Sequence, residues 1–261
     1  MGTGRVVVIT GASAGIGHAT AELLQGQGWT VVGASRRGPL VMDVDDDESV
    51  RVGVAEVVQR HGGLQAVVAC AGWGLAGAAE QTPLAAAKEQ LETNFWGTVR
   101  VVQAALPTMR GQGEGRLVLV SSIGGVLGLP FQAFYSASKF ALEGYAEALA
   151  YEVDPFGIDV TLIEPGNVRT DFTANRRDVV PPGGEDPYAA MVSKAIGLMA
   201  RDEADGVPPA AVARAIARVL TSRRPRRRVS VGKVDERVGI IGKRILPYRV
   251  FERAAKGSLG V

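Results

Sequence analysis

The sequence predicts a doubly wound α/β fold, a parallel sheet of about seven strands flanked by helices, in a single domain over 1–261. Three observations carry that expectation. Short runs of Val, Ile and Leu alternate with longer helix-like stretches along the chain. The runs are continuously apolar, as strands covered on both faces must be. No repeat period or linker divides the chain, and 261 residues suffice to bury one large core.

Taken in order, strands are expected at 5–10 (RVVVIT), 30–35 (TVVGAS), 64–70 (LQAVVAC), 116–122 (RLVLVSS), 159–165 (DVTLIEP) and 227–232 (RRVSVG). Helical candidates lie between them at about 15–28, 47–61, 84–110, 135–154 and 208–222. Strand–helix alternation of this kind points to a parallel sheet with crossover helices. The stretch 166–207 is rich in Pro, Gly and charge and reads as irregular. A loop that long inside a compact domain serves as a lid or a binding loop. Residues 167–207 are therefore expected to form a mobile substrate lid, with Pro-Pro-Gly-Gly breaks at 181–184. Phe172, Tyr188, Met191 and Met199 within it can face an apolar ligand or form a satellite cluster. A tail at 233–261 closes the chain.

Composition excludes several classes. A formal net charge of +2 calls for neither nucleic acid nor an anionic surface. Cys70 is the only cysteine, so no intramolecular disulfide can form, which suits a reducing cytosol. No apolar run is long enough to span a membrane, and the start of the chain has no signal-peptide pattern. A cytoplasmic protein is the expectation. His18 and His61 have no partner at ligand spacing, so no metal site is predicted. The acids at 43–48 run into a helix N-terminus, where negative charge is favoured. The basic run RRPRRR (223–228) reads as a solvated loop before the last strand.

The first strand ends in TGASAGIG (10–17), with Gly11, Gly15 and Gly17. A strand that turns through glycines into a helix presents backbone N–H groups to a pyrophosphate. Glycine is required there because a Cβ would block the approach of phosphates and of the helix. The spacing is G-x-x-x-G-x-G rather than the more familiar G-x-G-x-x-G. Further on come Asn94 in NFWG, Ser122 in VSSIGG, Tyr135 and Lys139 in FYSASKFALEG, and PGNVRT at 165–170.

With TGASAGIG, these motifs resemble the short-chain dehydrogenase/reductase family, in its order, over residues 5 to about 172. The run 122–144 looks most like the branch containing hydroxysteroid and retinol dehydrogenases. The resemblance implies a Rossmann sheet and a catalytic set of Asn94, Ser122, Tyr135 and Lys139. The physical logic of the pair is plain: residues i and i+4 share a helix face, and a nearby ammonium would lower the phenol's pKa. Tyr135 would then exchange a proton with a carbonyl or alcohol oxygen, and Ser122 would hydrogen-bond that oxygen. By resemblance, Lys139 also binds the nicotinamide ribose and Asn94 holds a water that relays protons to it. The small Ser136, Ala137 and Ser138 are expected to leave room for the cofactor.

The same resemblance places the cofactor along Gly11, Ser13, Gly15, Ile16 and Gly17, past Ala71 and Gly72, to Pro165, Gly166, Val168 and Thr170. Asp43, with Val44 beside it, is placed at the adenine. The expected cofactor is NADP(H). Ser35 stands at the end of the second strand, where NAD-preferring relatives carry an acid, and Arg36 and Arg37 follow. A guanidinium pairs with a 2′-phosphate through two charge-assisted hydrogen bonds. Residues 69–72, ACAG, depart from the family pattern, in which two asparagines often precede Ala-Gly and brace the neighbouring strands. Cys70 reads as a small buried hydrophobe.

The expected activity is NADP(H)-dependent interconversion of a carbonyl and an alcohol on an apolar substrate, steroid-, retinoid- or polyketide-like. The alternative is a non-catalytic dinucleotide-binding sensor, which would have no need of all four catalytic residues. Members performing epimerisation or dehydration are usually longer. Family resemblance also implies a homodimer or homotetramer built on helices 84–110 and 135–154. For the tail three placements stay open: over the substrate mouth, in a subunit interface, or on a membrane surface.

Overall fold

Five consecutive buried residues, Val6–Thr10, form β1 near the middle of a seven-stranded parallel sheet. The computed structural model describes residues 4–179, 186–247 and 249–253. On one side of β1 lie β2 (Thr30–Ser35) and the short β3 (Leu40–Val41). On the other lie β4 (Ala66–Ala69), β6 (Gly115–Val120), β7 (Ile158–Pro165) and β9 (Arg228–Val231). A separate pair joins β5 (Leu75–Ala76) to β8 (Arg177–Asp178). Six strands fall on the six predicted runs; β3 is the seventh, and two residues are too few to show a pattern.

Helices cover both faces. One layer packs α2 (Asp47–His61), α4 (Gly97–Gln112) and α5 (Ala133–Val153) on the sheet through Val54, Val101 and Leu142. The other packs α1 (Gly15–Gly26) and α8 (Pro209–Thr221) through Leu24, Val212 and Ile216. Each fully buried side chain of this kind contributes roughly 1.5–3 kcal/mol of transfer free energy. The acids at 43–48 behave as expected: the Asp46 side chain caps α2 by accepting from the Ser49 N–H at 2.6 Å.

The predicted helix 84–110 is interrupted. It consists of α3 (Leu84–Leu91), a π-helical turn over Glu92–Trp96, and α4. Such turns gather at functional sites, and this one holds Asn94.

The stretch 166–207 is not one irregular piece. It contains α6 (Phe172–Asn175), β8 and the sixteen-residue α7 (Ala189–Ala204). Pro, Gly and charge at 178–187 mask a helix whose single buried residue, Ala195, carries almost no hydrophobic signal. The Pro-Pro-Gly-Gly run lies outside the described residues. The tail likewise contains a helix, α9 (Val234–Ile245). Of the run 223–228, Arg228 is not solvated loop. It lies in β9 and pairs with Glu143, Glu147 and Glu164. Among the described residues, no helix is long and apolar enough to cross a membrane.

Candidate active site

The carboxyl ends of β1 and β4 face the same edge of the sheet, beside the point where strand order reverses. Ligands of open α/β sheets bind at such a switch point. Gly11 (φ +65°) and Gly15 (φ +55°) take left-handed conformations that favour glycine. Gly17 has no room for a side chain, since a Cβ would stand 2.4 Å from the Gly11 carbonyl oxygen. Its neighbours Ser13 and Ile16 lie on the same turn, Ser13 exposed and Ile16 half-buried. Thr10 closes the space between the strands: its hydroxyl accepts from the N–H groups of Cys70 at 3.1 Å and Ala71 at 3.2 Å. This brace takes a position the sequence left in question at ACAG. Burial pushes the Cys70 thiol up to about 12, as an inert packed residue requires.

Gly72 is exposed to the cleft between two functional candidates. A Cβ there would lie 3.0 Å from Asn94 Oδ1 and 3.8 Å from Lys139 Nζ. Asn94 is fully buried, and its amide clasps the Trp73 backbone, accepting from the N–H and donating to the carbonyl, both at 3.0 Å. It also donates to the Ser138 hydroxyl at 3.2 Å. Ser138 in turn donates to the Tyr135 carbonyl at 2.7 Å, and the Ser136 hydroxyl accepts from the Leu129 N–H at 3.0 Å. Ser136 and Ser138 are thus buried braces; only Ala137 of the three small residues is exposed.

Ser122 follows β6 and starts a short 3₁₀ turn over Ile123–Gly125, its hydroxyl accepting from the Gly124 N–H at 3.0 Å. Tyr135 and Lys139 stand on α5, both under a tenth exposed. Their electrostatics differ from expectation. Tyr135 is pushed up to about 12, because burial penalises the phenolate more than a hydrogen bond with Ser122 favours it. Lys139 does not offset this: its Nζ lies 6.0 Å from the tyrosine ring centroid and donates to the Val120 carbonyl at 2.9 Å. Burial brings Lys139 itself down to about 8. The structure therefore holds Tyr135 as a neutral phenol with Ser122 beside it.

The far wall comes from the segment after β7. Pro165 ends that strand, and the Gly166 N–H donates to the Val231 carbonyl at 2.8 Å. Val168 bridges to Val207, and Thr170 touches the glycine turn, 3.4 Å from where a Gly15 Cβ would be. Phe172 meets the Tyr135 ring edge-on, centroids 5.8 Å apart.

At the other end, Ala12 of the glycine turn packs on Gly33, which brings the turn to the end of β2. There Ser35 is half-buried, and Arg36 and Arg37 are exposed, with no hydrogen bond or ion pair among the described residues. Asp43 is half-buried and accepts from the Asp45 N–H at 3.1 Å; Val44 packs against Gly97. A glycine cradle with no room for a Cβ at Gly17 fits the pyrophosphate of a dinucleotide.

Several residues were missed. Arg176 is buried and joins Asp178 at 3.0 Å to Glu203 of α7 at 3.2 Å, tying α6, β8 and α7 together. Glu236 of α9 accepts from the N–H and side-chain amide of Asn167 at 2.8 and 2.7 Å, and fills the space over Gly166. Phe131 takes a positive φ of 59° just before α5, a strained conformation for an aromatic residue. Nothing local in the sequence marks these, since each has its partner on a distant segment or a conformation its type disfavours.

Comparison with known proteins agrees with this geometry. A family model described as short chain dehydrogenase matches residues 35–180. The chain is 37% identical to a 3-ketodihydrosphingosine reductase of Bacteroides thetaiotaomicron, over 97% of each. It is 36% identical to retinol dehydrogenase 8 of Bos taurus, over 85% of this chain and 79% of that one. A solved short-chain dehydrogenase from Streptomyces avermitilis superposes with a TM-score of 0.81 and 32% identity, over 98% of this chain and 99% of that one.

Proposed function

The chain belongs to the short-chain dehydrogenase family, and on that premise we propose that it is an NADP(H)-dependent reductase of a ketone on a long apolar substrate. The family makes it an oxidoreductase acting with a nicotinamide dinucleotide, in the branch related to hydroxysteroid and retinol dehydrogenases. The observation that carries the finer reading is the placing of Tyr135 and Ser122 side by side in a buried wall completed by Phe172.

The cofactor, when bound, supplies the hydride to the carbonyl carbon. Tyr135 gives its proton to the carbonyl oxygen as the negative charge develops there, so the product is the alcohol. Ser122 donates a hydrogen bond to the same oxygen and holds it in line with Tyr135. Lys139, anchored on the Val120 carbonyl, keeps a positive charge near both and holds the nicotinamide ribose. Asn94 positions Gly72 and Trp73 beside Lys139. Gly11, Gly15 and Gly17 receive the pyrophosphate, with Ser13 and Ile16 alongside, and Ala71 and Gly72 admit the adenosine ribose. Asp43 and Val44 border the adenine, while Pro165, Gly166, Val168 and Thr170 hold the carboxamide. Ser35, Arg36 and Arg37 favour the 2′-phosphate of NADP(H), because no acid stands there to repel it.

The substrate reading draws on the 3-ketodihydrosphingosine reductase, whose similarity spans both chains almost entirely. Residues 167–207, now seen to carry α6 and α7, close over that substrate as a lid. Family likeness supports a homodimer or homotetramer in which α4 and α5 pair with their copies, and Trp96 before α4 and Tyr151 on α5 are exposed for such a contact. The test is loss of the nicotinamide absorbance with NADPH and, in turn, 3-ketodihydrosphingosine, retinal and a 17-ketosteroid. Turnover is expected with the first above the others; none with any of them would refute the reading.

A further inference from the structure

Exposed apolar side chains concentrate on the tail. Of the large apolar residues exposed among the described ones, Val234, Val238, Ile241, Ile245, Leu246 and Val250 all lie in 234–250. Four of them, at 75%, 57%, 54% and 73% exposure, recur at positions 234, 238, 241 and 245. That spacing puts them in one narrow stripe along α9. Scattered surface hydrophobes need no explanation, but a continuous stripe marks a contact surface.

The opposite face of α9 is fastened to the candidate active site. Ile240 is buried, and Gly239 stands against Leu127. Lys243 donates to the Val126 carbonyl and lies 4.8 Å over the Phe140 ring, while Glu236 holds Asn167. The helix therefore sits on the loop after Ser122 and on the segment after β7, the two walls of the cleft. Its stripe faces outward from that position.

Charge selects the occupant. Residues 233–261 carry seven basic and three acidic side chains; Lys233 pairs with Asp205 and Lys243 turns to Val126, which leaves five other basic residues, against a net charge of only +2 for the whole chain. Arg237 on α9 is exposed, as are Arg249 and Arg253 beyond the helix. A symmetric pairing of two copies through α9 would bring this excess positive charge onto itself. An anionic lipid surface accepts both the apolar stripe and the basic side chains of the tail.

We propose that α9 docks on an anionic lipid bilayer through this stripe and sets the mouth of the cleft at the membrane surface, where an amphiphilic ketone is taken from the lipid. The choice of substrate source rests on the reductase reading above; the docking itself does not. The test is flotation of the full-length protein with vesicles of phosphatidylcholine containing phosphatidylglycerol, and with phosphatidylcholine alone. Wild type should float with the anionic vesicles and far less with the neutral ones. The Val238→Asp, Ile241→Asp double variant should bind anionic vesicles about tenfold more weakly or worse, with thermal transition and NADPH affinity unchanged. Its turnover of a long-chain ketone embedded in vesicles should fall in parallel. Three results would overturn docking: wild type that does not float, a variant that floats equally well, or a variant that changes a dimer to a monomer in light scattering. Flotation without turnover of any ketone would leave docking standing and overturn the reductase reading instead.

Discussion

On the glycine-turn side of the cleft, the contacts that shape the site lie within the sheet edge: Gly17 under the Gly11 carbonyl, Thr10 across to Cys70 and Ala71. On the opposite side they are side-chain contacts that tie helices α7 and α9 to the loops beside the cleft. Arg176 to Glu203 spans 27 residues, Asn167 to Glu236 spans 69, and Val126 to Lys243 spans 117. The first side depends on backbone geometry that only particular residues permit. The second depends on side-chain partners, and many sequences can supply an arginine and a carboxylate.

The largest expected effect tests the residue where the two sides meet. Tyr135→Phe removes the proton donor and little binding surface, so kcat should fall by about 10²–10⁴-fold with NADPH affinity nearly unchanged. Lys139→Ala should impair both. A Tyr135→Phe enzyme retaining a tenth of its activity would show that the proton comes from elsewhere.

Next in size is a break on the substrate side alone. Arg176→Met leaves the half-buried Glu203 with only the Thr173 hydroxyl and should cost about 2–3 kcal/mol in urea unfolding. Arg176→Met with Glu203→Met should recover most of that, and NADPH binding should be spared in both. A cost below about 1 kcal/mol for the single variant would mean the ion pair is not what holds α7.

Cofactor choice is a smaller, sharper test of the other side. Replacing Arg36 by Ala and Ser35 by Asp should lower the ratio of kcat/KM for NADPH over NADH by at least about tenfold, about 1.4 kcal/mol. A wild-type preference for NADH would end the phosphate assignment.

A pH slope tests the buried ammonium itself. Lys139 is brought from 10.5 down to about 8 on folding, so the unfolded chain binds the extra proton between those values. Its charge costs stability fully below about pH 8, and the cost fades as pH rises toward 10.5. Tyr135, raised from 10.0 to about 12, opposes this only above pH 10. The stability of cofactor-free wild type relative to Lys139→Met should therefore climb from pH 8 to 10. A flat difference would show that burial does not hold Lys139 down.

Sequence by itself determined the sheet, because strands such as Val6–Thr10 and Thr30–Ser35 are continuously apolar or β-branched and bounded by turns. It also determined the glycine turn and the Tyr135–Lys139 spacing, since a close backbone approach and a shared helix face are local requirements. Tertiary structure decided the rest. The π-helical turn that buries Asn94, the strained Phe131 and the placing of α7 and α9 depend on partners that no nearby residue announces. The proton on Tyr135 is the plainest case. Helical spacing placed an ammonium one turn away and implied a lowered pKa, yet the folded protein surrounds the phenol with Phe172 and the core and turns Lys139 to the Val120 carbonyl. Spacing fixes which side chains can meet. Desolvation depends on everything packed around them, and that is decided only when the whole chain has folded.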